Sequence, residues 1–297
     1  MTFLRNFTFP LLLALCVSRM FAQTNPAIPD AHLTFTTIDA PGAGFTNVAG
    51  INSAGDMVGY YGAGSNANKR GFLYKGGSFT NIDYPGADST FAEGINDSGL
   101  IAGSADFHGG VTGNGFIYDG TAFTAVSTRE PVTFLWSINN RDEIVGSTGV
   151  SGGDFRGFAS VNGRFRTLRF PGQYQIANPT GINNLGQVAG YTIDGSSTLA
   201  YVYSNGRFKN LSFPGALYTQ AQGINDNGLV VGTYFVSPNL YGFAYYKGKY
   251  ISYTYPGAIA TGATAVNNSG QIVGQYLLPD LTWHGFVTSP ITSEDFN

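Results

Sequence analysis

The chain has 297 residues, of which 43% are hydrophobic and only 11% are charged. This length is sufficient for a substantial core, and the charge fraction is less than half of what soluble domains usually carry. The formal net charge of −3 excludes the basic surface that phosphate backbones require, so nucleic acid is not an expected partner. The 42 glycines, 18 tyrosines and 23 phenylalanines favour turns and strands and predict an all-β protein.

Residues 1–22 have the pattern of an export signal, with a positive start, a short apolar core and a cleavage sequence ending at Ala22. The apolar run is too short to cross a bilayer, so we expect a secreted protein, extracellular or periplasmic, without a membrane span. A bulky leucine before Cys16 disfavours lipidation. Cleavage after Ala22 removes this only cysteine, so no disulfide is expected. Residues 23–32 are interpreted as a short N-terminal segment.

The next element is the string FTTIDAPGA at residues 35–43, which nearly repeats FTNIDYPGA at residues 79–87. Each string predicts a strand that ends where proline removes a hydrogen-bond donor and Pro-Gly sets a turn. A complete repeat unit precedes the second string, whereas no such unit precedes the first. The chain therefore opens with the end of a repeat.

A unit containing GIN-x-x-G then recurs through the chain. Its asparagines follow one another at steps of 44, 43, 44, 42 and 42 residues, at Asn52, Asn96, Asn139, Asn183, Asn225 and Asn267. Turn residues divide the units into short strands: one ending at the asparagine, one ending at the glycine of IVG, one carrying GF, or Ala-Tyr at residues 200–201 in the fourth unit, and one of the FTNIDYPGA type. In the third unit Asp142 replaces the turn glycine, and aspartate tolerates the left-handed conformation that this position needs.

Four antiparallel strands in about 43 residues is the size of one propeller blade. The last unit lacks a fourth strand, and residues 35–43 supply a fourth strand without a unit. We therefore predict an all-β, six-bladed β-propeller over residues 33–290, with four antiparallel strands per blade, closed by the N-terminal strand that completes the last blade. Residues 291–297 are expected to form a C-terminal tail. A parallel solenoid is the alternative.

The same strings carry a family resemblance. The GIN-x-x-G-x-IVG unit, the HGF at residues 284–286 and the ID-x-PGA strings resemble the bacterial extracellular repeat proteins of the HAF family. The resemblance covers all six units, although the histidine of the family name occurs only once. It implies a secreted bacterial protein, and it brings no established activity with it.

Functional residues are expected where the repeat is broken. The links between second and third strands, and those between units, lie on one face of a propeller and vary in sequence, whereas the opposite face carries short, similar turns. This variable face is the expected ligand-binding surface. Its candidate residues are Asp106, His108, Asp154, Arg156, Asp194, Tyr234, Asp280, Trp283 and His284.

No catalytic residue, metal site or cofactor is predicted. The loops offer aspartates, but no motif fixes a pair of carboxylates as glycosidases need. His32, His108 and His284 do not form a ligand motif. Asp39 and Asp83 occupy one repeat position that holds serine, arginine or threonine elsewhere, so a carboxylate ring is not encoded and Asp39 is interpreted as a turn or surface residue.

The prediction for function is a secreted binding or interaction module that holds a carbohydrate or an envelope or surface protein. The first alternative is a secreted propeller enzyme, such as a glycan hydrolase, lyase or lactonase. The second is an envelope protein with a purely structural role. The pattern favours the binding module over an enzyme.

Overall fold

The structure is a computed structural model that describes residues 33–107, 113–150, 155–161, 163–171, 176–194 and 197–297. Within these residues the chain forms 24 strands and one short 3-10 helix, Ser293–Phe296. The strands are β1 (Phe35–Ile38), β2 (Phe45–Ile51), β3 (Met57–Gly62), β4 (Arg70–Lys75), β5 (Ser78–Ile82), β6 (Ser89–Ile95), β7 (Ile101–Asp106), β8 (Asn114–Tyr118), β9 (Phe123–Val126), β10 (Val132–Ile138), β11 (Ile144–Gly149), β12 (Phe155–Val161), β13 (Arg164–Thr167), β14 (Ile176–Ile182), β15 (Val188–Asp194), β16 (Ser197–Ser204), β17 (Arg207–Leu211), β18 (Tyr218–Ile224), β19 (Val230–Val236), β20 (Asn239–Tyr246), β21 (Lys249–Tyr253), β22 (Ala260–Val266), β23 (Ile272–Leu277) and β24 (Trp283–Thr288).

The repeat units of the sequence correspond to antiparallel runs of strands. Units 1 to 5 are β2–β5, β6–β9, β10–β13, β14–β17 and β18–β21. Unit 6 consists of β22–β24, and β1 pairs antiparallel with β24, Phe35 lying opposite Thr288. The N-terminal strand thus joins the end of the chain, as its isolated string suggested.

The expected six-bladed propeller of separate, closed four-stranded blades is wrong. Units 2, 3 and 4 are four-stranded sheets, but units 1, 5 and 6 form one 12-stranded mixed sheet. Two parallel one-residue bridges make this connection, Phe45 with Trp283 and Leu240 with Ala260. They arise because the innermost strand of one unit starts beside the third strand of the unit before it. The chain is therefore all-β with this mixed sheet and three smaller sheets.

The turn after each innermost strand is built by the asparagine side chain. Asn52 Oδ1 accepts the backbone N–H groups of Ala54 at 3.1 Å and Asp56 at 2.9 Å. The fourth turn residue, Gly55, has φ +83°, which glycine adopts without a steric penalty. In unit 3 Asp142 adopts φ 58°, so the turn survives the loss of glycine, as predicted.

A closed ring of hydrogen bonds joins the six turns. The Asn52 side-chain amide donates to the Asn96 carbonyl at 3.4 Å, and the same contact repeats from unit to unit. The Asn267 amide closes the ring on the Asn52 carbonyl at 3.0 Å, across 215 residues of sequence. The innermost strands therefore surround a common axis.

Small residues allow these innermost strands to approach one another. A Cβ on Gly50 would lie 3.0 Å from the Glu93 carbonyl oxygen, and a Cβ on Gly94 would lie 2.9 Å from Ser137 Cα. The GF aromatic rings fill the body of each unit, and Phe72 is fully buried over Gly59 of its own unit, where an added Cβ would be 2.8 Å from the ring. Among the described residues, no helix is long and apolar enough to cross a membrane.

Candidate functional site

Every innermost strand carries a β-bulge at the residue three places before the ring asparagine. The register with the second strand shifts there in all six units, for example between Val48 and Gly50. A bulge inserts one unpaired residue and redirects its side chain, and bulges are common beside functional sites. We call the bulged residues the axial residues; they are Ala49, Glu93, Trp136, Thr180, Gln222 and Thr264.

The axial residues line a cavity of about 80 Å³ on the common axis, the axial cavity. The lining is completed by the small residue and the isoleucine or valine that follow each of them. A cavity of this size holds several water molecules or one small polar group. The side chains of Ile51, Ile95, Ile138, Ile182, Ile224 and Val266 also line a second cavity of about 70 Å³, the mouth cavity.

The axial residues differ in every unit, except that threonine occurs twice, whereas the positions after them repeat. The following residue is glycine, serine or alanine, then isoleucine or valine, then asparagine. The repeated positions have a structural task, in strand packing and in the hydrogen-bonded ring. The axial position thus brings side chains that differ from unit to unit to one cavity.

Glu93 is the ionisable group among the residues that line the axial cavity. Glu93 is half-buried at the cavity, and the desolvation of its carboxyl raises its pKa to about 8. Gln222 lies three units further round the ring, so it faces Glu93 across the axis. A carboxyl of this kind is largely protonated at neutral pH and can exchange a proton with a bound molecule.

The other polar axial residues direct their protons away from the cavity. The Trp136 indole N–H donates to Ser147 Oγ at 3.1 Å. The Thr180 hydroxyl is 2.9 Å from the Ala221 carbonyl oxygen, and the Thr264 hydroxyl is 2.6 Å from the Val48 carbonyl oxygen. These three groups therefore bring hydroxyl lone pairs and an aromatic ring to the cavity lining, while their N–H and O–H donors are bound by protein acceptors.

The mouth cavity has a polar rim formed by the residues after the ring asparagines. Asp97 accepts the Ser53 backbone N–H at 2.8 Å and the Asn140 side-chain amide at 2.7 Å. Burial opposes ionisation of Asp97, but these hydrogen bonds and that of the Ser53 hydroxyl outweigh it and hold its pKa below the ordinary value. Asp226 occupies the same position three units away. This rim is therefore anionic.

Two residues predicted from the sequence to bind ligand are part of the packing. Tyr234 is buried, stacks on Phe213 with ring centroids 3.6 Å apart, and forms a 2.7 Å hydrogen bond to Ser252 Oγ. Trp283 packs with two apolar clusters, one containing Phe45 and the other Leu277. Their surroundings explain both aromatic residues without a ligand.

The predicted acidic and basic residues do not form one cluster. Asp106 is 1% exposed at the end of β7, and Arg156 is exposed on β12. Asp194 ends β15, and its side chain lies outside the described residues. His108 and Asp154 also lie outside the described residues.

His284 and Asp280 belong to a hydrogen-bonded chain that includes Asp39. His284 Nδ1 is 2.7 Å from Asp39 Oδ2, and its Nε2 is 2.8 Å from the Thr282 hydroxyl. That hydroxyl also contacts Asp280 Oδ1 at 2.5 Å. Asp39 is exposed just before a turn, and its contact with His284 ties the end of β1 to β24. Arg70 and Asp83 form the corresponding pair in unit 1.

The axial residues were not among the sequence candidates. The signal for them was present, since one position before the repeated Gly-Ile-Asn changes from unit to unit. The sequence does not show that these side chains point to the axis, because their direction depends on the β-bulge. Within the described residues, no group of three or more histidine, cysteine, aspartate or glutamate side chains could hold a metal ion.

No protein-family model and no curated protein sequence matches the chain. Solved structures do match it. A streptogramin B lyase aligns with a TM-score of 0.50 and 13% identity over 89% of this chain and 88% of the other. The β-propeller domain of the Trilobed protease from Pyrococcus furiosus aligns with a TM-score of 0.51 and 13% identity over 83% of each chain. Regucalcin from Agrobacterium tumefaciens, a calcium-binding protein, aligns with a TM-score of 0.52 and 13% identity over 89% of this chain and 96% of the other.

Proposed function

We propose a function from the site rather than from the fold, which is all-β and propeller-like and is shared with neighbours that include enzymes. At these identities the likeness concerns the fold, and function has to be argued from the site.

We propose that the protein is a binding module whose ligand inserts a small polar group into the axial cavity. The observation that carries this proposal is the set of six bulges, which present non-repeating side chains to one cavity while their neighbours repeat. A protein with a purely structural role has no need for a desolvated carboxyl such as that of Glu93, because desolvating a carboxyl costs stability. The rest of the ligand would lie on the variable face.

An enzyme is the second candidate, and the same carboxyl favours it. A pKa of about 8 suits a group that donates or accepts a proton near neutral pH. The axial cavity provides one carboxyl among its lining residues, which fits proton transfer in a lyase or a lactonase better than the two-carboxylate hydrolysis of glycans. Turnover of a bound compound separates this candidate from the binding module.

The first experiment is a ligand screen by thermal shift, followed by calorimetry on each hit. A ligand that uses the axial cavity should bind at least tenfold more weakly to Glu93→Gln and to Gln222→Phe, which fills the cavity from the opposite side. The matched control is Glu294→Gln, because Glu294 is exposed in the C-terminal 3-10 helix. Hits that bind all three variants as tightly as the parent protein would contradict the proposal.

We also propose export of the protein, on the basis of residues 1–22. Expression of the full chain in a bacterial host should give a product in the periplasm or the medium. Its measured mass should be that of a chain starting at Gln23. Retention of the full-length product in the cytoplasm would contradict this.

A further inference from the structure

The axial cavity combines groups whose hydrogen-bonding roles can be counted. The indole N–H of Trp136 and the hydroxyl protons of Thr180 and Thr264 are directed at protein acceptors. Among the described lining residues, the Gln222 amide, the Ser137 hydroxyl and the protonated form of the Glu93 carboxyl are then the side-chain donors. Acceptors are more numerous: two carboxyl oxygens, the amide oxygen and the lone pairs of the three hydroxyls. Because acceptors outnumber donors in this lining, a ligand group with several N–H donors complements the axial cavity best.

The charges along the axis point in the same direction. Among the described residues, the lining of the two cavities contains the carboxyls of Glu93, Asp97 and Asp226 and no lysine, arginine or histidine. An anionic group would meet no positive side chain of this lining. A cation on the axis would be attracted by these carboxyls, since a partly desolvated cavity weakens screening.

The size and the geometry of the site narrow the class of cation. About 80 Å³ is too small for a sugar ring held on all sides. One carboxylate and neutral oxygens are a poor ligand set for a divalent metal, which takes several carboxylates. An ammonium group has three N–H donors for the carboxylate and the hydroxyl oxygens. It is also attracted to the face of an indole such as that of Trp136.

We infer that the group bound in the axial cavity is a protonated amine, held by the Glu93 carboxylate and by the face of Trp136; this rests on the proposed binding function. A primary ammonium at the end of a flexible chain, such as a lysine side chain or an alkylamine, has the right chemistry. The chain behind the nitrogen would leave the cavity toward the variable face.

Binding of such a cation requires the ionised carboxyl, which links it to pH. Glu93 has a pKa of about 8 before binding, so below pH 8 the amine must displace a proton. The affinity should then rise about tenfold per pH unit from pH 6 to pH 7, and level off above pH 8. Glu93 is the one ionisable residue among the described residues that line the axial cavity, and Asp97 and Asp226 lie beyond the isoleucine ring in the mouth cavity.

The test follows the Trp136 indole N–H signal by NMR during titration with methylammonium chloride, with sodium chloride as the salt control and acetamide as a neutral probe. We expect a saturable shift with methylammonium and the stated pH dependence. Glu93→Gln should weaken binding at least tenfold and abolish the pH dependence, and Trp136→Leu, followed by calorimetry, should weaken it several-fold. Glu294→Gln should bind as the parent protein does.

The outcomes separate this inference from the function on which it rests. Binding of acetamide as tightly as methylammonium, or amine binding that is unchanged between pH 6 and pH 8, would overturn the assignment of an amine and leave a binding cavity in place. If neither probe shifts the indole signal, the amine inference fails. If the ligands found by screening also ignore Glu93→Gln and Gln222→Phe, the proposed function fails with it.

Discussion

At the scale of single residues, the position of Glu93 is fixed by the backbone rather than by partners for its carboxyl. The bulge directs the side chain to the axis, where the cavity admits water but the surrounding strands keep it from bulk solvent. A carboxyl in such a place is stabilised in its neutral form. The residue is therefore kept at a cost to folding, which is typical of functional groups.

The cost of Glu93 should appear in the pH dependence of stability. Its pKa is about 8 in the folded protein against an ordinary 4.5, so between these values the folded state holds a proton that the unfolded state has lost. Stability should therefore fall as pH rises from 5 to 8.5. A shift of this size corresponds to at most about 5 kcal/mol, and cavity water reduces it, so we expect about 2 kcal/mol.

Chemical denaturation at pH 5 and pH 8.5 measures this effect. The Glu93→Gln protein should lose about 2 kcal/mol less than the parent protein over that interval. Glu294→Gln should follow the parent curve at both pH values, since Glu294 is exposed. Parallel curves for the parent and Glu93→Gln would show that the carboxyl ionises as freely as in the unfolded chain.

At the scale of strands, the join between β1 and β24 depends on side chains as well as on the ladder. Phe35 packs on Phe286 with ring centroids 5.4 Å apart, and His284 contacts Asp39 at 2.7 Å just past the end of β1. Unit 1 forms the equivalent pair with Arg70 and Asp83. A nitrogen-bearing side chain before Gly-Phe, His284 or Arg70, thus contacts an aspartate at the end of the neighbouring strand in both of these units.

This comparison predicts which substitutions the join tolerates. His284→Leu should lower the free energy of unfolding by about 0.5–1 kcal/mol, the usual range for a partly exposed hydrogen-bonded pair. His284→Arg should recover most of that loss, because arginine makes this contact in unit 1. Thermal and chemical unfolding of both variants and of Asp39→Asn measure the difference. Equal losses in the leucine and arginine variants would show that the pair contributes nothing.

Strand positions could be predicted from the sequence, whereas their pairing beyond one unit could not. The Asn-x-x-Gly turns and the GF strings mark the strands because turn residues and buried aromatic residues have strong local signatures. The merging of three units into one sheet depends on single bridges, such as Phe45 with Trp283, that leave no mark in the sequence. Tyr234 and Trp283 were assigned to ligand binding because the sequence does not distinguish an aromatic residue that packs in the core from one that binds a ligand. The bulges were missed since any residue can occupy them.

At the scale of the whole molecule, the two sides of the axis have different tasks. The ring of asparagines joins all six units, and its last bond links residues 215 positions apart. This ring is made of short, repeated turns and leaves little freedom at that end of the axis. The opposite end carries the loops that vary in sequence. A ligand that enters from that end would contact these loops first and would find the rigid asparagine ring at the far end of the axis.

The contribution of the hydrogen bond that closes the ring can be tested by replacing the side-chain NH2 group of Asn267 with an oxygen. Asn267→Asp keeps the oxygen that accepts the Gln271 backbone N–H at 3.0 Å, and removes the N–H donor to the Asn52 carbonyl. It also places a carboxylate against that carbonyl and against Gln271 Oε1, 3.0 Å from the amide nitrogen. Because the site is buried, we expect a loss of about 3 kcal/mol at pH 7.

The loss should shrink at low pH, because a protonated carboxyl can again donate to the Asn52 carbonyl. The control is Asn210→Asp on β17, where the side chain is exposed and the change should cost less than about 0.5 kcal/mol. Chemical denaturation at pH 7 and pH 4 distinguishes the two. If the Asn267 and Asn210 variants unfold alike at both pH values, the ring contributes no closure and the packing of the innermost strands alone holds the units together.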